Sequence, residues 1–293
     1  MAQPSPSAGG FRLTIPQATR SQRWQVLRRS VTFWVGATIV VIWVVFAIFG
    51  DFVTPFDPLG TPADVLNRLE APSGEHPLGT DELGRDVLSR VLAGARQVLT
   101  VALAATVLGT IFGTALGLVV GYAGGILDEI LSRILDAFLS IPLVITGMLA
   151  LTALGPNTLG VIVVIGLVFT PIIAKTVRAA VLSERQLDYV TAAQLRRDNG
   201  LYVLFVEILP NVANVIIVEF TVRLGYAIFT VLALSFLGFG IEPSIPDWGL
   251  MIAQHRGYLT GGIWWPVLFP AVAIASLVVA VNLVADSISQ AFE

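Results

Sequence analysis

The sequence predicts an all-α polytopic membrane protein with six transmembrane helices. Three observations carry that expectation. Of the 293 residues, 55% are hydrophobic and only 13% are charged, where a soluble domain carries about 25% charged residues. The mean hydropathy is +0.82. Six segments are long and apolar enough to cross a bilayer, which takes roughly 20 residues at about 1.5 Å of rise each. The formal net charge of −3 gives no reason to expect nucleic-acid binding, and the lack of cysteine excludes disulfides, thiolate zinc sites and cysteine nucleophiles.

Residues 1–30 read as a cytoplasmic basic tail. After Met1 it begins Ala-Gln-Pro-Ser-Pro-Ser-Ala-Gly-Gly, a composition that cannot build a core and is expected to be disordered. Its later arginines suit an anionic inner leaflet. Everything from 31 to 293 reads as one transmembrane domain. The first span, Val31–Phe52, is too long for a signal peptide and no small-residue cleavage site follows, so a retained anchor is expected.

Residues 54–97 form the long external loop. Within it, His76–Arg90 reads HPLGTDELGRDVLSR, with Gly79 and Gly84 for turns and Asp81, Glu82, Arg85 and Asp86 for charge. Apolar residues then recur at helical intervals (Val87, Leu88, Val91, Leu92), which predicts an amphipathic helix lying on the outer surface. His76 and His255, the two histidines, are expected to be solvated loop residues, and no carboxylate cluster stands beside them to make a metal site.

The second span, Val98–Tyr122, carries Gly109, Gly113, Gly117 and Gly121, with Gly125 continuing the spacing. Each step of four winds about 40° around a helix, so the series makes a stripe without side chains that a neighbouring helix can approach closely. The neighbour is either another helix of this chain or one of a second subunit. The third span, Ile130–Leu154, opens on Asp128, Glu129, Arg133 and Asp136. Glu129 and Arg133 can pair at four-residue spacing, Asp136 can reach a neighbouring helix, and Pro142 is expected to kink the span with Ser140 nearby to satisfy freed backbone groups. The fourth span is Leu159–Leu182.

Leu187–Pro210 is charged and lies between two long apolar segments. Asp188 can cap a short helix at its start, and Asn199 and Gly200 can end it, since both tolerate left-handed backbone. Ala192 and Ala193 are small enough for a partner surface to approach. Residues 187–200 are therefore expected to form a polar docking helix, after which Pro210 stops or kinks the next element. The fifth span, Ile208–Gly240, holds Glu219 and Arg223 on one face at the spacing of an ion pair. A charge at mid-membrane faces protein or a water-filled path, so the pair either lines a translocation route or braces helices. The sixth span is Trp264–Ala285. Trp248, Trp264 and Trp265 fit an outer aromatic belt.

Lys and Arg set the orientation. With the N-terminus inside, the inner side holds eleven of them (Arg12, Arg20, Arg23, Arg28, Arg29, Arg133, Lys175, Arg178, Arg185, Arg196 and Arg197) and the outer side five. Both termini and the 187–200 helix are then cytoplasmic.

Four stretches together resemble one family. Thr191, Ala192 and Ala193, then Leu209 and Pro210, fit the EAA loop of ABC importer permeases at the family spacing. Thr191 stands in the acidic place, Arg197 where the glycine belongs and Glu207 in the hydrophobic place, with Gly200 three residues late. His76–Arg90, the GYAGG and DEILSRILDAFLSIP of Gly121–Pro142, and the LSFLGFGIEPSIPDWG of Leu234–Gly249 resemble the C-type permease subunit of the dipeptide, oligopeptide and nickel importers, in the same order and spacing, from about Thr32 onward. The resemblance implies a type I ABC importer permease fold in the bacterial plasma membrane. It implies partners too: a second homologous permease, two ATPase subunits below and an external substrate-binding protein above.

On that resemblance, Asp188, Tyr189, Thr191, Ala192, Ala193, Arg196, Arg197 and Gly200 belong to the helix that couples ATPase motion to the membrane. The 85–98 helix and the Gly240–Trp248 loop become candidate seats for the binding protein. The chain has no G-x-x-x-x-G-K-[ST] loop, so it is expected to bind no cofactor, with ATP and Mg on partner subunits. It also lacks H-E-x-x-H and G-x-S-x-G, so no enzymatic activity is expected. Peptide cargo is the expectation, with nickel chelates or another small cargo as the alternative. An ion-gradient-driven secondary transporter is the rival from a different class.

Overall fold

The computed structural model describes residues 27–59, 65–155, 157–239 and 244–292. The tail up to residue 26 and the Gly240–Pro243 part of the Gly240–Trp248 loop lie outside them. Helices dominate, and the described residues carry no strand beyond an isolated Thr80–Asp86 bridge.

Ser30 starts α1 (Val31–Val53) by accepting a hydrogen bond from the Phe33 amide. Asp86 does the same for α2 (Val87–Ala123), accepting from the Ser89 amide. The sequence expects a surface helix followed by a separate span here. The structure instead runs both into one helix of 37 residues, about 55 Å long, well beyond a hydrocarbon core of about 30 Å. No proline interrupts it. Gly94 lies under the Trp248 ring, with Trp248 Nε1 only 2.7 Å from where a Cβ would stand. The loop expected over residues 54–97 therefore ends at Asp86, and Val87, Arg90 and Val91 are buried rather than laid on a surface.

The predicted third span is broken. α3 (Gly125–Leu139) and α4 (Leu143–Leu154) meet at 84°. Pro142 has no amide to donate and disfavours helical backbone in the residue before it. Ser140 takes up the freed groups, its Oγ donating to the Ala137 carbonyl at 2.7 Å. Among the described residues, five helices are long and apolar enough to cross a membrane, or six if the bent pair is one span.

α5 (Thr158–Glu184) is followed by the short α6 (Asp188–Leu195). The next helical stretch opens at Gly200, earlier than expected, and widens into a π-helical segment at Val203–Ile208 before α7 (Leu209–Phe236). The widening has a cause in the sequence. Pro210 cannot donate to the carbonyl four residues back and its ring crowds that turn, and an extra residue per turn makes room. α8 (Trp248–His255) and a 3₁₀ turn lead to α9 (Trp265–Phe292), which extends past the predicted Ala285.

Among the described helices, α2 packs most extensively against α5. A Cβ on Gly113 would lie 2.7 Å from Ile173 Cβ, one on Gly117 2.7 Å from the Ala174 carbonyl oxygen, and one on Gly121 2.8 Å from Val181 Cβ. Gly109 meets the Gly166 carbonyl in the same way, at 2.9 Å. The stripe therefore faces a helix of this chain. It ends there, because Gly125 has positive φ and nothing within 4 Å. Around this seam Val101, Ala102, Ala105, Ile165, Phe169, Ile173 and Val177 form the core with Ile228, Val231 and Leu277. Large apolar side chains such as Val41, Ile48, Phe49, Ile111 and Phe112 point outward, the arrangement lipid requires and water would penalise.

Side-chain bonds define the two ends of the bundle. At one end Ser30 lies beside Ser287, Arg185 Nη1 donates to the Tyr122 carbonyl at 2.9 Å, and Gly200 lies against the Tyr122 ring. At the other, Gln97 reaches Thr158, Trp248 Nε1 donates to the Val91 carbonyl at 2.8 Å, and Trp265 Nε1 donates to the Thr80 carbonyl at 3.0 Å. Two expectations are corrected at this second end. Trp248 is fully buried and Trp265 nearly so, which leaves Trp264 as the tryptophan of the three with substantial exposure. His76 and His255 are buried too. His76 Nδ1 sits 3.0 Å from Asp86 Oδ1, and His255 Nδ1 sits 2.6 Å from the Met251 carbonyl. Polar loop sequence misled here because the loop folds down over the start of α2.

Candidate functional site

The candidate site, α6, is built from its flanks inward. α5 ends at Glu184, and Leu187 returns its amide to the Glu184 carbonyl at 3.1 Å, so three residues join α5 to α6 without slack. Leu187 takes the cap position with extended backbone and no side-chain hydrogen bond. Asp188 is thus the first helical residue, not the cap, and its carboxylate suits the positive end of the helix dipole.

Val190 and Ala193, three apart, are fully buried. They turn one face of α6 onto the chain's own core beside Val203, Leu204 and Ile208. Ala193 is therefore a packing residue, not an open seat for a partner. The outward face consists of Asp188, Thr191, Ala192, Gln194 and Leu195, with Leu195 80% exposed. Tyr189 is half-buried between the faces and accepts a hydrogen bond from Asn211 Nδ2 at 3.2 Å. Burial and then the neighbouring Glu184 charge push its phenol up to about 12, so it stays neutral.

The helix stops four residues earlier than Asn199 and Gly200 suggest. The Arg197 amide bonds the Gln194 carbonyl at 2.9 Å and the Asp198 amide bonds the Ala193 carbonyl at 3.2 Å, the paired bonds of a Schellman ending. That ending needs left-handed backbone at its turning residue, and Arg197 supplies it at φ 62°. The family motif puts glycine at this place. Asn199 instead caps the following helix by accepting from the Leu201 amide at 3.0 Å, and Gly200 is that helix's first residue. Arg196 closes the turn on Asp198 at 2.8 Å and reaches Glu207 at 3.6 Å. Glu207 thus fills the motif's hydrophobic place as an ion-pair partner.

Glu219 and Arg223 do meet, Nε donating to Oε1 at 2.6 Å, with the guanidinium 5.3 Å from the Tyr226 ring. Glu219 borders a cavity of about 230 Å³ between α5, α7 and α9 that also touches Thr176, Asn214 and Ser289. The acid therefore faces the helices of its own bundle.

Sequence reasoning expected Asp136 to reach a neighbouring helix but did not identify α5 as that helix, nor the partner of Asp128. Arg178 holds Asp128 with both its Nε and its Nη2, the latter at 2.7 Å, and Lys175 holds Asp136. Arg185 donates to the carbonyl at the end of α2, where the helix dipole favours a cation. The signal was the three-residue spacing of Lys175 and Arg178 opposite Asp128 and Asp136, which pairs the antiparallel α5 and α3. The described residues hold no group of three or more His, Asp or Glu side chains placed to bind a metal ion.

Comparison with known proteins agrees with this architecture. Residues 113–293 match the family described as the binding-protein-dependent transport system inner membrane component, and residues 20–72 match the N-terminal transmembrane domain of oligopeptide transport permease C. The chain is 37% identical over 283 residues to the dipeptide transport system permease protein DppC of Escherichia coli strain K12, covering 95% of this chain and 94% of that one. It is 36% identical over 263 residues to the di/tripeptide transport system permease protein DppC of Pseudomonas aeruginosa, covering 88% and 86%. It is 34% identical over 272 residues to the dipeptide transport system permease protein DppC of Alkalihalophilus pseudofirmus, covering 93% and 88%. With five to six candidate spans, a helix standing between α5 and α7 where the EAA loop falls, and a family match over residues 113–293, this chain belongs to the binding-protein-dependent transport system inner membrane component family.

Proposed function

We propose that this chain is one permease subunit of an ATP-driven importer of di- and oligopeptides, supplying half of a translocation path that works by alternating access. The observation that carries the proposal is α6. It is a short helix, tied without slack to a spanning helix on one side and to a π-widened one on the other, and it offers Thr191, Ala192, Gln194 and Leu195 outward. The relatives' names supply the cargo class. In this reading a second homologous permease completes the path. Two ATPase subunits dock below, and a binding protein delivers peptide from the other side. ATP and Mg sit on the ATPases and none on this chain. The protein lies in the bacterial plasma membrane with both termini and α6 cytoplasmic, as the bias of Lys and Arg toward that end of the bundle supports.

ATP binding draws the ATPases together and carries the docking helices with them. The spans then rock to face outward and receive peptide, and hydrolysis resets them. The Ala192→Trp variant tests this. Its side chain projects from the exposed face, so the protein should insert normally while ATPase co-purification and ATP-dependent peptide uptake in reconstituted vesicles are lost. Unchanged ATPase binding and uptake would overturn the proposal. Ala193→Trp does not test docking, because Ala193 is fully buried and the substitution attacks the fold.

A further inference from the structure

α3 is poorly anchored by packing. Leu135 is its one buried residue, while Ile126, Ile130, Ile134 and Phe138, each four apart, are exposed. Its hold on the bundle is electrostatic. Asp128, in its first turn, takes the two-pronged Arg178 with side-chain exposures of 15% and 26%, low enough for the pair to escape most solvent screening. Asp136, two turns on, takes Lys175. Eight residues along α3, about 12 Å, are thus gripped by two cations on adjacent turns of α5. Arg185 on the same helix holds the end of α2, and Gly124, at φ 64°, leaves it the room. A Cβ there would stand 2.6 Å from Arg185 Nη1. Lys175 and Arg178 lie in the last ten residues of α5 and Arg185 is its C-cap, at the slackless junction to α6.

We infer that the Arg178–Asp128 and Lys175–Asp136 pairs are a transmission clamp: they make α3 travel with α5 and α6, so that movement of the docking helix reaches the α3–α4 break at Ser140–Pro142. This rests on α6 being the ATPase docking helix. Arg178 and Asp128 are positioning residues. They act through α3, by keeping a weakly packed helix in step with the driven one. The 84° break is where a shift of α3 is delivered to α4.

The test uses the whole importer with its partner subunits. The chain has no cysteine, so with partner subunits cleared of theirs the introduced cysteines report alone. Spin labels at Ile130→Cys on α3 and Gln186→Cys at the α5–α6 junction give one distance, and labels at Gln186→Cys and Val279→Cys on α9 give a second. Both are measured with and without a non-hydrolysable ATP analogue. The expected result is a nucleotide-dependent change in the second distance with the first constant within about 2 Å, as for a body moved as a unit. A first distance that changes as much as the second overturns the clamp and leaves docking intact. No change in either overturns docking, and the clamp with it.

In Asp128→Asn, ATPase co-purification should persist while peptide imported per ATP falls at least about fivefold, the low end of a coupling between sites. The charge-reversed Asp128→Arg/Arg178→Asp pair should recover most of that ratio. Arg178→Lys, which keeps the charge and loses the fork, should fall in the same direction. A wild-type ratio in Asp128→Asn, or no recovery on reversal, refutes the clamp.

Discussion

The α2–α5 seam makes a sharp prediction at Gly117. Replacing it with alanine adds one Cβ, 2.7 Å from the Ala174 carbonyl oxygen and 2.8 Å from Val177 Cβ. Ordinary contact begins near 3.4 Å, so the two helices must part by roughly 0.7 Å at this turn, and a backbone carbonyl in a helix cannot swing aside as a side-chain tip would. Overpacking of this kind costs about 1–3 kcal/mol. Gly117→Val should cost more, since Val177 already fills the space beyond. Gly113→Ala should cost a similar amount, and the double variant less than the sum, because helices already parted at one turn are partly parted at the next. Gly74→Ala is the control, with nothing within 4 Å of its Cβ. The assay is thermal or denaturant unfolding of the purified chain in detergent, without partner subunits. Wild-type stability for Gly117→Ala in the isolated chain refutes the seam. A defect seen only in the assembled importer assigns the stripe to a subunit interface instead.

Other outcomes follow from single residues. Arg197→Gly should raise stability by about 1 kcal/mol, since Arg197 holds a left-handed conformation that glycine adopts without strain, and uptake should not fall; a destabilised variant contradicts the Schellman ending. Arg223→Leu strands Glu219 without its partner and should cost on the order of 3 kcal/mol, read as lost folded yield, while Glu219→Gln/Arg223→Met recovers much of it; unchanged folding and uptake in Arg223→Leu would leave the pair without a role. Asp247 is deeply buried, and burial holds its carboxyl above the usual range despite bonds from the Leu250 amide and Ser235 hydroxyl. Its folded pKa is raised, so the stability it confers is complete below the unfolded carboxylate pKa and declines as pH rises through the folded one. Asp247→Asn should flatten that slope in melting curves taken across the acidic range, and an unchanged slope contradicts it.

How much could be read in advance depends on what each residue had to satisfy. Spans were legible because lipid demands long apolar runs, and Thr158–Glu184 sits within two residues of its expected limits. The Glu129–Arg133 pair and the direction of the Asp136 contact were legible from spacing alone. Helix ends were less so. Asn199 and Gly200 look like a stop, yet the helix ends at Leu195 and turns at Arg197, and nothing local distinguishes a cap for the helix behind from a cap for the helix ahead. The burial of His76, Arg90 and Trp248 was hidden for a different reason. Their partners lie on other elements: Trp248 bonds the carbonyl of Val91, Arg90 donates from Nη1 to that of Pro58, and His76 meets Asp86 at the start of α2. Of α6, the position between two long helices and the small residues at its centre were legible. Which of Ala192 and Ala193 points inward was not, because that depends on how α6 lies against Val203 and Ile208.

The central claim is that force enters this passive membrane helix bundle through α6 on the cytoplasmic side. Leu195, 80% exposed on that helix, reports on it directly. In a chain otherwise free of cysteine, Leu195→Cys should resist a membrane-impermeant thiol reagent in intact cells. In inverted vesicles it should react readily once the ATPase subunits are stripped away and be protected when they are restored. Labelling from outside intact cells, or reactivity indifferent to the ATPases, would contradict the account.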